Sequence, residues 1–588
     1  MNKWKAWTVL SVFVMGVVIL KLFYVQIVQH NYWVAEAAAQ HMAESEIVAK
    51  RGKILMMDGE EMVPVVMNEA VYTVIVDPKE SKKEEVEKVL SEKAGEYVTA
   101  DFETVFSSGL RYYIVARNVP IKVALEIRAE VMAGVWFKEE TKRVYIEGTT
   151  ASQLIGFVNS EGKGQYGVEG ALDAVLAGKN GLLKSIVDVN NVELSIGDEN
   201  IEVAAEDGKD VVLTVDRNVQ IEVEKILAKA VSETPATNAA AVVLNPNTGE
   251  VMAMASVPNY NASEYYKVAD AREFTNYVTE VPYEPASVCK SFVFSAGINE
   301  GVMTPETRYL NTGYTVVDEF SIKNASPNFS LGWMSLQKGL AYSFNTSSIQ
   351  VLCLLGGDPN CAGAGGNSFL NEKGREKMYE YYHDRFGLGE VTGIELYEAR
   401  GAVPGPYEYE AANNLTYANM TFGQGLNLTM IQVAAAFSSI INGGKYYTPT
   451  IVKGYIDSAG NYEAKTSEFV PVRETISEES SNIMREMLFQ AREEYHDFYG
   501  FNREGYYLGG KTGTGQVIIR RSDGTWGYSD ADGETIASYV GFGGRNGEKP
   551  AFVVMVKLWG EGQHIDGTRN AQPVFGEIAY FLESYLKI

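Results

Sequence analysis

"EPASVCKSF", residues 284–292, sets a serine three places before a lysine just where a Pro-Ala turn runs into an apolar stretch. On a helix, positions i and i+3 share a face, so Ser287 and Lys290 point the same way while Cys289 points elsewhere. A lysine in a dry cleft loses its proton and acts as a base, and a serine at the first turn of a buried helix can be its nucleophile. The spacing alone is weak evidence. Ser160 with Lys163 and Ser335 with Lys338 repeat it in the same chain, and its ordinary meaning is a cap or turn with an exposed lysine. Ser335 is read as the N-cap of the helix that leads to Ser343. Cys289 is read as a small apolar residue on the buried side of its helix.

Two downstream segments lift Ser287 above the other matches. "AYSFNTSS" contributes Ser343 and Asn345, and "GGKTGTG" contributes Lys511, Thr512, Gly513 and Thr514 on a predicted strand. Two further Ser-x-Asn matches, at Ser326 and Ser480, lack that placement, and Lys-Thr-Gly occurs once. This ordered set of Ser-x-x-Lys, Ser-x-Asn and Lys-Thr-Gly resembles the signature of the penicillin-binding proteins and serine β-lactamases. The likeness extends along the chain. "VVLTVDRNVQ", "VVLNPNTGEVMAMASVPNYN", "FGLGEVTGIEL", "TFGQGLNLTMIQVAAAFSSIINGGKYYTP" and "SYVGFGG" resemble, in order, stretches of the transpeptidase domain of class B penicillin-binding proteins. Upstream, "LFYVQIVQHNYW", "RGKIL" and "LIGFVNSEGKGQYGVEG" are similar to the pedestal of that class. Three features depart from the pattern: Met56-Met57-Asp58-Gly59 replaces an Asp-Arg-Asn-Gly turn, Ala286 stands where glycine is frequent, and a Gly-rich insertion carries Cys361.

The resemblance implies roles for these residues. Lys290 activates Ser287, which attacks the carbonyl of the penultimate D-alanine of a peptidoglycan stem peptide and expels the terminal D-alanine. An amine of a neighbouring stem peptide then takes the acyl group. Ser343 relays protons, and Asn345 holds a substrate amide together with Lys290. The backbone N–H groups of Ser287 and Thr514 form the oxyanion site. Lys511, Thr512 and Thr514 receive the substrate carboxylate, and Gly513 leaves room for a substrate lying along the strand. No cofactor and no metal is called for. "FGQG", residues 422–425, is read as support for the floor of the site.

The resemblance also implies a fold and partners. The fold expected is α+β, an antiparallel sheet flanked by helices, behind a mixed α+β pedestal and one transmembrane helix. The partners are stem peptides on glycan strands derived from lipid II, β-lactam antibiotics, and a polytopic glycosyltransferase of the shape, elongation, division and sporulation (SEDS) type.

Composition and patterning agree with that outline. The 588 residues carry 51 basic and 76 acidic side chains spread along the chain, which argues against nucleic acid. The five histidines are scattered, with no His-Glu-x-x-His and no Cys-x-x-Cys, so a zinc site has little support. Lys3 and Lys5 precede an apolar run from Ala6 to Leu20 that resumes after Lys21, with Trp7 and Tyr24 near its ends. That pattern predicts a single span with its basic end cytoplasmic and the rest outside, and the resemblance implies that the membrane is a bacterial cell membrane. Cleavage near Ala35-Glu36-Ala37 is the competing reading, but that site lies well beyond the apolar run. The expected division is a stub and anchor at residues 1–30, a pedestal at 31–205 and a transpeptidase domain at 206–588. Within the last, a hairpin around Pro246–Gly249 opens the sheet, a mostly helical section spans 287–442, and three strands and a helix close it. Cys353 and Cys361 flank a loop; their pairing stays open at this level.

Three other readings compete. A β-lactamase shares the serine, lysine and Lys-Thr-Gly strand but has little use for a span and pedestal, and no water-activating glutamate is identifiable. A D,D-carboxypeptidase differs only in which nucleophile reaches the acyl-enzyme. A non-catalytic envelope scaffold, or a β-lactam sensor, is the third; only five residues precede the apolar run, which leaves a sensor little on the cytoplasmic side.

Overall fold

The computed structural model describes residues 3–33, 42–186, 201–361, 370–409, 413–465, 468–494, 502–520, 526–529 and 533–587. Ala35-Glu36-Ala37 and residues 362–367, the second half of the Gly-rich insertion, lie outside them. The chain forms two compact units, Met1–Gly52 with Ala174–Lys209, and Lys53–Asp173 with Asp210–Ile588. In the first, the helix Lys3–Phe23 continues into a wider turn at Tyr24–Val28. Its 22-residue stretch Trp7–Val28 is long and apolar enough to cross a bilayer. The strands Met42–Ile47, Gly181–Ile186 and Ile201–Val203 of this unit form a small antiparallel sheet.

The larger unit is built on two sheets. One is five-stranded, in the order Val251–Val257, Asn238–Leu244, Phe552–Trp559, Thr535–Arg545, Tyr506–Gln516, and antiparallel throughout. Helices Arg217–Glu233 and Gln572–Tyr585 seal one face, packing Val219, Leu227, Phe575 and Ile578 against Ala241 and Val556. On the other face the largely apolar helix Met430–Ile441 is buried along its whole length, the hydroxyls of Ser438 and Ser439 donating to the Ala434 and Ala436 carbonyls of the same helix. It starts at a capping box, Thr429 with Gln432, which satisfies the N-terminal amides that so buried a helix end cannot give to water.

The second sheet places Tyr462–Ala464, Val452–Ile456, Asp210–Asp216, Ile54–Asp58, Glu61–Val76 and Tyr113–Pro120 side by side, with Val135–Tyr145 also pairing the Glu61–Val76 strand. Asp210–Asp216 runs parallel to Ile54–Asp58. The sheet thus joins strands drawn from distant parts of the sequence. Against it the helix Lys83–Ala94 buries Val86 and Leu90 on Val74 and Val115.

The section from 287 to 442 is less helical than its composition suggests. Arg308–Asn311 pairs with Gly332–Ser335, and Tyr314–Val317 with Phe320–Lys323. Alternating aromatic and branched residues such as Tyr314-Thr315-Val316-Val317 favour strands, and Asp318 and Glu319, both at positive φ, make the tight turn. Cys353 and Cys361 form a disulfide with Cα atoms 5.5 Å apart, while Cys289 is a buried free thiol.

Glu224 of the Arg217–Glu233 helix is buried and accepts the Ala151 N–H at 2.6 Å and the Gln220 amide at 2.9 Å. Burial pushes its carboxyl up to about 7. A folded pKa above the unfolded one means the native state holds the proton more tightly, so stability is greatest below the unfolded pKa and is lost as pH rises through about 7. Glu224→Gln keeps the acceptor and removes the ionisation. It is expected to gain up to about 3 kcal/mol over wild type at pH 8 and nothing near pH 4.5 in urea melts. Parallel stability profiles for the two proteins would contradict this.

Candidate active site

Three segments meet at one cleft of about 920 Å³ in the larger unit. The first is the turn that carries Ser287. Tyr283 exchanges backbone hydrogen bonds with Leu428, and the Ala286 N–H donates to the Gly423 carbonyl at 3.2 Å. Gly425 N–H donates to Glu284 Oε1 at 2.8 Å. Residues 423–425 therefore lace the turn from beneath. Ser287 lies in a single 3₁₀ turn, Ala286–Cys289, and Lys290 opens the buried helix Lys290–Asn299. Ala286 sits at φ 54°, the left-handed region that favours glycine. That explains why glycine is a natural residue at this position and shows that strain is stored next to the serine.

The second segment is the break between helices Leu336–Ala341 and Asn345–Leu355. Ser343 occupies it at φ 57°, a second strained non-glycine residue. The third is the strand Tyr506–Gln516 with Lys511.

These segments surround two buried amines. Lys290 Nζ is 3.0 Å from Ser287 Oγ, 2.9 Å from Asn345 Oδ1, 3.2 Å from Ser343 Oγ and 2.5 Å from the Ser343 carbonyl oxygen. None of these partners is a carboxylate. Burial, reinforced by the nearby Lys511 charge, holds the Lys290 amine well below the usual lysine range. Lys511 Nζ donates to Ser343 Oγ at 2.9 Å and to the Thr512 carbonyl and hydroxyl at 3.2 and 3.3 Å. Burial lowers its ammonium to about 7. Ser343 thus stands between the two lysines, a hydroxyl within reach of both. Asn345 donates its amide nitrogen to the Lys323 carbonyl at 2.9 Å, which fixes its oxygen toward Lys290.

Six of the eight residues singled out from the sequence, Ser287, Ser343, Asn345, Lys511, Thr512 and Thr514, line the cleft. Lys290 lies beneath its floor. Gly513 has a different surrounding from the one expected: a Cβ there would come within 2.5 Å of the Pro285 carbonyl oxygen. The space its missing side chain leaves is filled by the serine-bearing turn, not by open cleft. Thr514 Oγ1 accepts the Gly567 N–H at 2.9 Å, which ties the strand to the turn Gly567–Ala571. Ser335 caps its helix by accepting the Lys338 N–H at 3.2 Å, and Lys163 sits on an exposed loop; neither joins the site.

Phe422 and Gln424 of the "FGQG" segment also line the cleft. Other residues there carry no motif signal: Arg492, His564 and Thr568 reach it from separate segments. Asp566, the one carboxylate among the described lining residues, accepts the Thr568 and Arg569 N–H groups on Oδ1. Glu284, two residues before Ala286, is turned to Tyr528 and Gly425 and does not line the cleft. Below the turn, Lys557 is buried on its strand with Nζ 4.1 Å from the centre of the Tyr283 ring and 4.6 Å from that of Trp559. Burial pushes that amine down to about 7. A single charged residue inside the apolar run "FVVMVKLW" was its only signal.

Gly423 is the residue under the turn that a side chain would disturb most. At φ 78°, its Cβ would lie 2.1 Å from the Ala286 oxygen. Gly423→Ala is expected to displace Ser287 and slow acylation by roughly 10²-fold, the scale of a misplacement of about 1 Å. Stopped-flow acylation with a chromogenic cephalosporin checks it; an unchanged rate would show that the turn is held by other contacts.

Comparison with known proteins agrees with this geometry. The sequence profile of the penicillin binding protein transpeptidase domain matches residues 239–580, and that of the penicillin-binding protein dimerisation domain matches 46–213. Stage V sporulation protein D of Bacillus subtilis is 29% identical over 587 residues, covering 97% of this chain and 84% of that one. The probable peptidoglycan D,D-transpeptidase PenA of Neisseria gonorrhoeae is 24% identical, covering 91% of this chain and 84% of its own. Among solved structures, penicillin binding protein 3 of Mycobacterium tuberculosis in complex with aztreonam superposes with a TM-score of 0.67 at 22% identity, over 92% of this chain and 98% of that one. With a transpeptidase profile over more than half its length, a dimerisation profile before it and one apolar N-terminal helix, the chain belongs to the class B penicillin-binding proteins.

Proposed function

We propose that the chain is a serine peptidoglycan D,D-transpeptidase whose nucleophile is Ser287. The observation that carries this is the Lys290 amine, buried, held below its usual range and 3.0 Å from Ser287 Oγ with no carboxylate partner. Its lone pair takes the Ser287 proton as Oγ bonds to the carbonyl carbon of the penultimate D-alanine. The tetrahedral oxygen points at the Ser287 and Thr514 N–H groups. As the C–N bond breaks, Ser343 passes the proton to the departing D-alanine nitrogen. Lys511, Thr512 and Thr514 hold the carboxylate of the terminal residue, and Asn345 orients Lys290 and a substrate amide. In the second half-reaction the amine of another stem peptide attacks the acyl carbon, loses a proton by the same route and releases Ser287. A β-lactam acylates the same serine; its ring opens without losing a fragment, so the adduct persists.

Residues 1–30 anchor the chain in a bacterial cell membrane with the N-terminus cytoplasmic, residues 31–205 act as pedestal, and 206–588 as the catalytic domain. A polytopic SEDS-type glycosyltransferase that polymerises the glycan is the partner this arrangement suits. The apolar helix, its flanking Lys3 and Lys5, and the dimerisation profile support these assignments. A hydrolytic reading is less favoured, since the cleft's one described carboxylate, Asp566, is engaged by backbone amides.

The test is product analysis. Full-length protein in detergent, given a stem pentapeptide ending in D-Ala-D-Ala and a second stem peptide with a free amine, is expected to release D-alanine and form the cross-linked dimer. Release without dimer would make it a carboxypeptidase; neither, in protein shown to be folded, would leave the scaffold.

A further inference from the structure

The lip of the cleft formed by residues 308–335 turns apolar side chains outward. Phe329, Leu331 and Trp333 alternate along the chain and are 52%, 56% and 64% exposed, while Met334 beside them is buried. Phe320, at the tip of the neighbouring strand pair, is 61% exposed. This inverts the usual arrangement, in which apolar residues of a strand face the core, and a clustered exposed apolar patch marks a binding surface.

The patch is continuous with the active site. Asn324, Ser326 and Pro327, in the same loop, line the cleft. Tyr342, which precedes Ser343 and also lines it, meets the Phe329 ring edge to face with centroids 5.3 Å apart. The loop is held from below. Asn311 donates to the Ser330 carbonyl at 2.9 Å, and Asn324 accepts the Thr346 N–H at 3.1 Å, one residue beyond Asn345. Aromatic rings on a backbone anchored in this way lose little freedom on binding.

Its chemistry distinguishes the occupant. The exposed rings are interleaved with the hydroxyls and amide of Ser326, Asn328 and Ser330; the charged side chains of residues 308–335 are Arg308, Asp318, Glu319 and Lys323, two of each sign, so the lip carries no net basic charge. A lipid surface would call for a basic rim. Flat apolar faces beside neutral hydrogen-bonding groups suit a sugar, whose ring C–H face stacks on an aromatic while its hydroxyl and acetamido groups bond alongside.

We propose that this lip binds the amino-sugar glycan to which the stem peptide is attached, so that the enzyme selects peptides carried on glycan strands over free ones. The proposal rests on the transpeptidase reading, because the glycan arrives only with that substrate. It adds to that reading a second subsite, outside the Ser287 cleft, for the carbohydrate part of the same molecule.

The experiment compares full-length wild type, the double variant Phe329→Ser/Trp333→Ser and the ring-preserving Trp333→Tyr, in detergent, with uncross-linked glycan strands bearing pentapeptides, with free pentapeptide and with benzylpenicillin. Wild type is expected to favour the strands. The double variant is expected to lose on the order of tenfold in kcat/KM on strands alone, with free peptide and penicillin unaffected and Trp333→Tyr close to wild type. Equal losses on all three acyl donors would assign the lip to support of the serine site and overturn the proposal. Unchanged kinetics on strands would overturn it too, including the case in which the double variant loses a protein partner or vesicle binding instead. Wild type that takes up no penicillin would defeat the transpeptidase reading itself, a failure distinct from either.

Discussion

Ser287→Ala is expected to reduce D-alanine release from a stem pentapeptide by at least about 10⁴-fold, the scale on which removal of a covalent nucleophile acts when the rest of the site survives. The substitution deletes one oxygen from a turn fixed by backbone bonds to Gly423 and Leu428, so the fold should tolerate it. Cleft volume and the Lys511–Ser343 contact at 2.9 Å remain, and non-covalent binding of the peptide should persist. Loss of turnover with retained binding, measured by D-alanine release and by equilibrium binding of the peptide, is the expected pair. Residual turnover within tenfold of wild type would place the nucleophile elsewhere.

The second large effect concerns the two amines. Lys290→Met removes the base and a buried polar centre at once, and acylation by benzylpenicillin should fall by about 10³-fold, inside the range for general bases. Wild type should show a bell in kcat/KM against pH. On the acid side Lys290 gains a proton and ceases to be a base; its limb lies far below the usual lysine range, because burial and the Lys511 charge oppose protonation. On the alkaline side Lys511, lowered by burial to about 7, loses the charge that attracts the substrate carboxylate. Since Lys511 helps depress Lys290, neutralising it by Lys511→Met should move the acid limb upward and abolish the alkaline one. The absence of an alkaline limb near pH 7 in wild type would contradict the role of Lys511, and an acid limb that does not move in Lys511→Met would contradict that of Lys290.

Much of the site was legible in the sequence because its chemistry needs particular residue types at fixed offsets. Ser287 and Lys290 sit on one helical turn, and Lys511 to Thr514 alternate along one strand, so spacing carries their geometry. The five-stranded sheet was legible for a similar reason: Pro246–Gly249 is a strong hairpin turn, and the strands beside it are continuous apolar runs. What escaped depends on contacts between distant segments. The closeness of Gly513 to Pro285, the parallel pairing of Ile54–Asp58 with Asp210–Asp216 and the setting of Lys557 between two rings have no local signature. The strands at 308–335 are four residues each, too short for a period-two pattern to stand out from the helices around them. The Cys353–Cys361 bridge needed a Cα separation, which spacing along a chain does not supply.

The most direct test of the central claim is intact-mass spectrometry of the full-length protein after benzylpenicillin, with peptide mapping of the product. One adduct per chain is expected, of the full mass of the antibiotic, on the peptide that contains Ser287, stable over the time of the measurement and absent from Ser287→Ala. An adduct on another serine, or folded protein that takes up no drug, would contradict the assignment of Ser287 as the acylated nucleophile.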